Sequence, residues 1–281
     1  MQKPHGQAFG PVMMLLASVC FSLGGLLCKM IPWSAVAING FRDLLGSLVI
    51  GGYLLATRHR LRVNGIVIAG AACMFGVTTL FVMANKMTTA ANTIVLQYSA
   101  PVWIVLMMAL FFRQKPQRLD LIAMAAVFIG ILCFFIDSLS SGGAVGNLLA
   151  ILAGVCYAGL FILNSFEKGD ALSSLFLGQL AAGVILTPFL SRETDFSSAT
   201  LTAAVVLGLV QVGLGYIFFY QGTKHTHPVT ASLIAGVEPI LNPLLVAFFW
   251  NERLTPLAVV GAVIVIAAIL LYSLAKTRPK D

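Results

Sequence analysis

Two stretches of this chain are near copies of each other, and that constrains its fold more than any single motif. Residues 89–112 line up without a gap on residues 227–250, so that Ser99-Ala100-Pro101 falls on Val237-Glu238-Pro239 and Leu110-Phe111-Phe112 on Phe248-Phe249-Trp250. The shift is 138 residues. A second match, at a shift of 136, sets Ala17 to Phe21 against Ala153 to Tyr157, with Gly10 opposite Gly146. Both copies consist of long apolar runs, and duplicated halves of that kind usually build a transporter around a central site.

The solvent of such a chain follows from its charge content. Of 281 residues, 59% are hydrophobic and 10% charged, where a soluble domain carries about a quarter charged residues. A bilayer core about 30 Å thick takes roughly 20 apolar residues per helix, so the expected fold is an all-α integral membrane protein of ten transmembrane helices. The spans read as 11–30, 35–56, 65–83, 90–112 and 119–136, then 148–163, 173–190, 201–220, 229–250 and 257–274. Pro32-Trp33-Ser34, Ser138 to Gly143, Ser191 to Asp195 and Asn251-Glu252-Arg253 punctuate them. The first apolar run ends at Cys28-Lys29-Met30 without the small-residue site of a cleavable signal, so it reads as helix one.

Five spans per copy is an odd number, and the second copy therefore threads the membrane with opposite polarity. The expectation is two inverted five-helix repeats, residues 1–141 and 142–281. On alternate sides, Lys and Arg outside the spans number twelve against four. That bias places both termini in the cytoplasm, and it makes anionic headgroups, with no call for nucleic acid, the partner of the net charge of +7.

At this point the chain resembles the EamA-like, ten-helix branch of the drug/metabolite transporter superfamily. The resemblance is carried by Phe81 to Lys86 through Pro101, by Val237-Glu238-Pro239 through Asn251 to Leu254 and Gly261, and by Phe41-Arg42. Two departures are Gln114 where the family often has Glu, opposite Glu252, and Phe21-Ser22 in place of a Trp-Gly pair. The resemblance implies secondary transport of small metabolites across a bacterial inner membrane, frequently export of amino acids or related compounds.

Glu238 is the leading candidate for a coupling group. It lies about ten residues into its span, near mid-membrane at 1.5 Å per residue, where an ionised carboxylate costs roughly 2.5–3.5 kcal/mol unless it faces a cavity or a partner. It either takes part in proton relay and cavity polarity or braces a kink, since Pro239 and Pro243 follow it and each proline frees a carbonyl a turn earlier. Pro101 marks the matching kink.

Around Pro101 the sequence gathers Asn92, Gln97, Tyr98, Ser99 and Trp103, polar and aromatic groups of the kind that line ligand pockets. Gln211, Tyr216 and Tyr220 in the eighth span and Asn242 beside Pro243 complete the candidate substrate-binding set; packing between helices is the competing reading for the eighth-span group. Arg42 and Asp43 lie in span two. Adjacent residues diverge by about 100° on a helix, so the pair reads as gating groups, a substrate-carboxylate clamp or a structural ion pair near the outer mouth.

Lys86 and Lys224, matched by the 138 shift, sit at span ends and snorkel. The five cysteines fall inside spans without paired spacing and read as packing residues. No metal cluster, cofactor motif or nucleotide loop is legible, and the chain reads as neither enzyme nor pump. A channel is disfavoured because copy two has Glu238 where copy one has Ala100, whereas pores repeat a group in rings. The expected partners are a small-molecule substrate, the bilayer and protons.

Overall fold

The computed structural model describes the chain except residues 1–7, 89, 137, 138, 140–142, 251–254 and 278–281, with backbone alone at 29, 85, 86, 90, 91, 243, 246, 247, 250, 273, 276 and 277. The expected turn at Asn251 to Leu254, most of that at Ser138 to Gly143, and the side chains of Lys86 and Pro243 therefore lie outside the described residues.

Among the described residues the protein is all helix and irregular connection. The first copy comprises α1 (Phe9–Lys29), α2 (Ala35–Ala56), α3 (Gly65–Met87), α4 (Ala90–Gln97), α5 (Ala100–Phe112) and α6 (Arg118–Phe135). The second comprises α7 (Ala144–Ile162), α8 (Ala171–Leu186), α9 (Ser198–Val206), α10 (Gly215–His225), α11 (Pro228–Ala235), α12 (Glu238–Trp250) and α13 (Pro256–Thr277). A π-helical stretch, Leu207–Leu214, joins α9 to α10, and a 3-10 stretch, Thr187–Arg192, extends α8.

Seven helical stretches among the described residues are long and apolar enough to cross a bilayer. The three other expected spans form α2, which carries Asn39, Arg42 and Asp43, the α11–α12 pair, and α13. Polar caps start these helices where the sequence punctuates them. Ser34 accepts from Ala37 N at α2, Asn64 from Ile66 N and Val67 N at α3, and Ser197 from Thr200 N at α9. Each such cap is worth about 1 kcal/mol. At the other end, α2 and α5 stop at Arg58 and Arg113, which take left-handed φ values of 51° and 56°. That turns the chain so that His59 N and Gln114 N reach back to Leu54 O and Met108 O.

The two prolines of the repeat break their spans in the same way. Ser99 N bonds to Leu96 O and Val102 N to Ser99 O around Pro101; 138 residues on, Val237 N bonds to Ile234 O and Ile240 N to Val237 O around Pro239. These tight i to i+3 bonds replace the ladder that proline forbids. Pro243 lies inside α12, which runs on through it.

Packing is built on close glycine contacts. Gly10 of α1 lies against His225 and Thr226, and Gly146 of α7 against Met87 and Thr88. Along the α2–α8 seam, Gly40 meets the backbone of Leu186 and Thr187 while Gly51 meets the Phe176 ring. Other dominant pairings are α3 with α7, α1 with α10, and α6 with α13. The start of α1 lies beside the end of α10, and Tyr272 near the end of α13 bonds to Asp120 at the start of α6. A His227–Gln114 contact of 3.3 Å links the end of α5 to the start of α11 on that same face. On the opposite face, Trp33 Nε1 donates to Asp195 O at 2.6 Å and Ser34 N to Glu193 Oε1 at 3.0 Å.

Candidate functional site

A cavity of about 590 Å³ occupies the half of the bundle nearer that second face. Its wall reaches Cys28 and Ala35, at the end of α1 and the first residue of α2, so it opens towards the α1–α2 turn. Its polar groups are Asn39, Arg42, Thr78, Gln97, Tyr98, Tyr157, Gln211, Tyr216, Glu238 and Asn242, set among Phe21, Phe81 and Phe135. Few charges on an aromatic wall is the composition of a small-molecule site.

Glu238 is the first residue of α12 rather than a residue at its middle, and its carboxylate is aimed at the other kink. Tyr98 Oη donates to Glu238 Oε2 at 2.7 Å and lies 3.4 Å from Ala235 O, the carbonyl that Pro239 leaves without its helical donor. Tyr98 is itself one of the two residues of the α4–α5 break. One phenol thus ties the interrupted span of the first copy to that of the second.

Arg42 lines the same cavity as Glu238. Its Nε and Nη2 both donate to Asn39 Oδ1, at 3.1 and 2.6 Å, one turn back on α2. The Asp43 carboxylate stands 3.7 Å from Arg42 Nε, too far for a square pair, and is fully buried behind the wall. Gly24 and Gly25 bring α1 close to the Gln211 and Asn242 side chains.

Of the residues singled out from the sequence, Arg42, Gln97, Tyr98, Gln211, Tyr216, Glu238 and Asn242 line the cavity, and Asn92, Ser99, Trp103, Tyr220 and Asp43 do not. Asn92 donates to Thr88 Oγ1 and Asn147 Oδ1, at the junction with α7. Ser99 donates to Leu96 O and accepts from Trp103 Nε1, so both are spent inside their own span. Tyr220 lies towards the other face, where Lys224 Nζ is 3.3 Å from its hydroxyl and its ring meets His59 edge-on.

Three polar wall residues went unmarked in the sequence. Tyr157 is the repeat counterpart of Phe21 and Thr78 that of Tyr216, so the repeat itself carried the signal for both. Asn39 sits one turn before Arg42, and the spacing of three was its signal.

Beneath the cavity the bundle is closed by rings. Tyr157 meets Phe161 at 5.0 Å, Phe161 meets Phe219 at 4.9 Å, and Phe21 meets Tyr216 at 4.8 Å between centroids. Such pairs add about 0.5–1.5 kcal/mol each beyond the area they bury.

The model of the EamA-like transporter family matches this chain twice, at residues 8–136 and 144–274. The chain belongs to that family. It is a multi-pass membrane protein of the drug/metabolite transporter superfamily, in a class whose members act on small molecules. Among its relatives, the uncharacterized transporter YwfM of Bacillus subtilis (strain 168) is 26% identical, over 95% of this chain and 94% of its own. The threonine/homoserine exporter RhtA of Escherichia coli (strain K12) is 22% identical, over 92% of this chain and 89% of its own. A crystal structure superposes with a TM-score of 0.84 at 15% identity, covering 98% of this chain and 100% of that one, which is agreement in fold.

Proposed function

We propose that this EamA-like transporter is a secondary carrier of small zwitterionic metabolites, exporting amino acids or related compounds from a bacterial cytoplasm by alternating access and drawing on the proton gradient through Glu238. The observation that carries the reading is the Tyr98–Glu238 hydrogen bond at the crossing of the two proline breaks, in a cavity that also holds Arg42. A guanidinium and a carboxylate on one wall complement the carboxylate and ammonium of an amino acid. RhtA, a relative of low identity, is named for threonine and homoserine, which makes these the first cargoes to test.

The architecture behind this reading is ten spans in two inverted halves, 1–141 and 142–281, with both termini cytoplasmic. It is supported by contacts that interchange under the repeat. Gly10 with His225 and Thr226 becomes Gly146 with Met87 and Thr88 when 136 is added to one partner and 138 is exchanged on the other. Gly40 with Thr187 becomes Phe176 with Gly51 when 136 is exchanged on both partners. The twelve-to-four bias of Lys and Arg supports the orientation. With that orientation the cavity faces outward and the ring cluster closes the cytoplasmic half.

The test is counterflow of threonine and homoserine in proteoliposomes, under an imposed pH gradient and without one. Saturable exchange supports a carrier, while ohmic current supports a channel and product formation an enzyme. Glu238→Gln is expected to abolish pH-driven accumulation and to retain exchange at equal pH. Accumulation at the wild-type rate by that variant overturns the coupling role.

A further inference from the structure

The eighth span changes its helical form where it reaches the cavity. A regular α-helix sets residues five apart about 140° from each other around its axis, yet Gln211 and Tyr216 both line the cavity. The π-helical stretch Leu207–Leu214 accounts for this, because its i to i+5 bonds bring residues five apart towards one face. Such stretches are frequent at functional sites.

What this one places in the wall is an amide. Gln211 is 9% exposed, and its Oε1 is shielded from solvent with no hydrogen-bond partner among the described residues. An unpaired acceptor in a membrane core is costly, so leucine would serve a purely structural helix better at this position.

A second amide stands close by. A methyl on Gly24 would lie 3.4 Å from Gln211 Nε2, and one on the next residue, Gly25, would collide with Asn242 Oδ1. The two glycines of α1 thus leave room for two carboxamides within one residue of each other, one from the π-helical stretch and one from α12. Gln97, the last residue of α4, adds a third amide to the same wall. Each of these groups is uncharged and can both donate and accept.

We infer that Gln211 and Asn242, with Gln97, form the side-chain subsite of the cavity, and that the cargo it selects is an amino acid whose side chain ends in a carboxamide. The inference rests on the zwitterion reading and deepens it. Arg42 and Glu238 hold the carboxylate and ammonium that every amino acid carries, so they do not tell one from another. The amides do. A carboxamide presents a donor and an acceptor in a fixed fork, which lets it bond Gln211 and Asn242 together. An alkyl group of the same outline excludes water from both amides and pairs with neither, and a site of this kind discriminates by rejecting such an isostere. Arg42 and Glu238 are the only charged groups among the described wall residues, so an ionised side chain finds no counter-charge left over.

The experiment measures thermal stabilisation of the purified full chain by titrated asparagine, leucine and aspartate, three amino acids of similar shape. Asparagine is expected to bind at least about tenfold more tightly than either of the others. Gln211→Met and Asn242→Leu keep the bulk of the side chain and remove the amide. Each is expected to weaken asparagine by about tenfold or more and to leave leucine unchanged or tighter. Asn242→Leu decides alone should Gln211→Met fail to insert. Leucine or aspartate binding as tightly as asparagine, or variants that weaken asparagine and leucine alike, overturns the subsite and leaves the zwitterion reading standing. Binding by none of the three also overturns the subsite, and threonine then separates the two readings: stabilisation by threonine keeps the zwitterion reading, and its absence removes that reading as well.

Discussion

Tyr98 and Glu238, 140 residues apart in sequence, share a hydrogen bond of 2.7 Å. Each sits at the break of its own proline-interrupted span, so the bond links the two copies where both helices are least held by their own ladders. A bond to a carboxylate is worth about 1.5–3 kcal/mol. Tyr98→Phe keeps the ring packed against Tyr157 and removes only the donor. We expect a loss of roughly ten- to a hundredfold in pH-driven transport, measured as initial rates in proteoliposomes, with normal insertion and a lowered thermal midpoint.

Arg42 supplies the wall's positive charge through a guanidinium already oriented by two bonds to Asn39 Oδ1. Lysine keeps the charge and loses the fork that grips a carboxylate. Arg42→Lys should therefore raise KM for an amino acid by about tenfold or more, and should leave unchanged the transport of an amine of similar size that has no carboxylate. An equal effect on both compounds would favour transport of organic cations held by Glu238 and the aromatic wall.

The long apolar helices were legible because bilayer thickness dictates their length and because the Pro32-Trp33-Ser34 break puts a capping serine at the start of α2; the caps Asn64 and Ser197 went unmarked. The breaks at Pro101 and Pro239 were legible too, since a missing donor disturbs the same turn in both copies, whereas Pro243 is carried inside α12, which runs on through it. Which side chains face the cavity was not. Tyr216 and Tyr220 are one turn apart on one face of α10, yet the first lines the cavity and the second meets Lys224 and His59 towards the other face. Depth along a helix decides between them, and the sequence gives depth only to within a turn or so. Asn92, Ser99 and Trp103 have the chemistry of a binding site, but their partners lie on α7 or in their own span. The π-helical stretch Leu207–Leu214, which carries Gln211, left no mark in the apolar pattern.

The α2–α8 seam tests the packing argument. A methyl on Gly40 would meet the backbone of Leu186 and Thr187, which cannot turn aside, whereas a methyl on Gly52 meets nothing within 4 Å. Gly40→Ala should cost about 1–3 kcal/mol. Gly52→Ala should be neutral or stabilising by about 0.5–1 kcal/mol, the usual gain for alanine in a helix interior. Thermal unfolding of the two variants in the same lipid nanodiscs gives the comparison, and equal losses would mean that the seam is looser than its contacts imply.

Acidity at the face that carries the α1–α2 turn offers a further check, through a group outside the spans. Asp195 Oδ1 accepts from Ser197 N at 2.9 Å and Oδ2 from Thr200 Oγ1 at 2.9 Å, and these bonds hold its carboxyl below the ordinary carboxylate value. Because the folded value is the lower one, the bonds help order the start of α9 fully above the ordinary value, and that help fades as pH falls through the folded value. The same residue's carbonyl accepts from Trp33 Nε1. Protection of the amides at residues 197–201 should therefore be constant around neutral pH, where Asp195 is ionised, and be lost in strong acid, with a parallel change in Trp33 emission. Asp195→Ala should show the unprotected behaviour at every pH; protection retained in that variant would mean that Ser197 alone caps the helix.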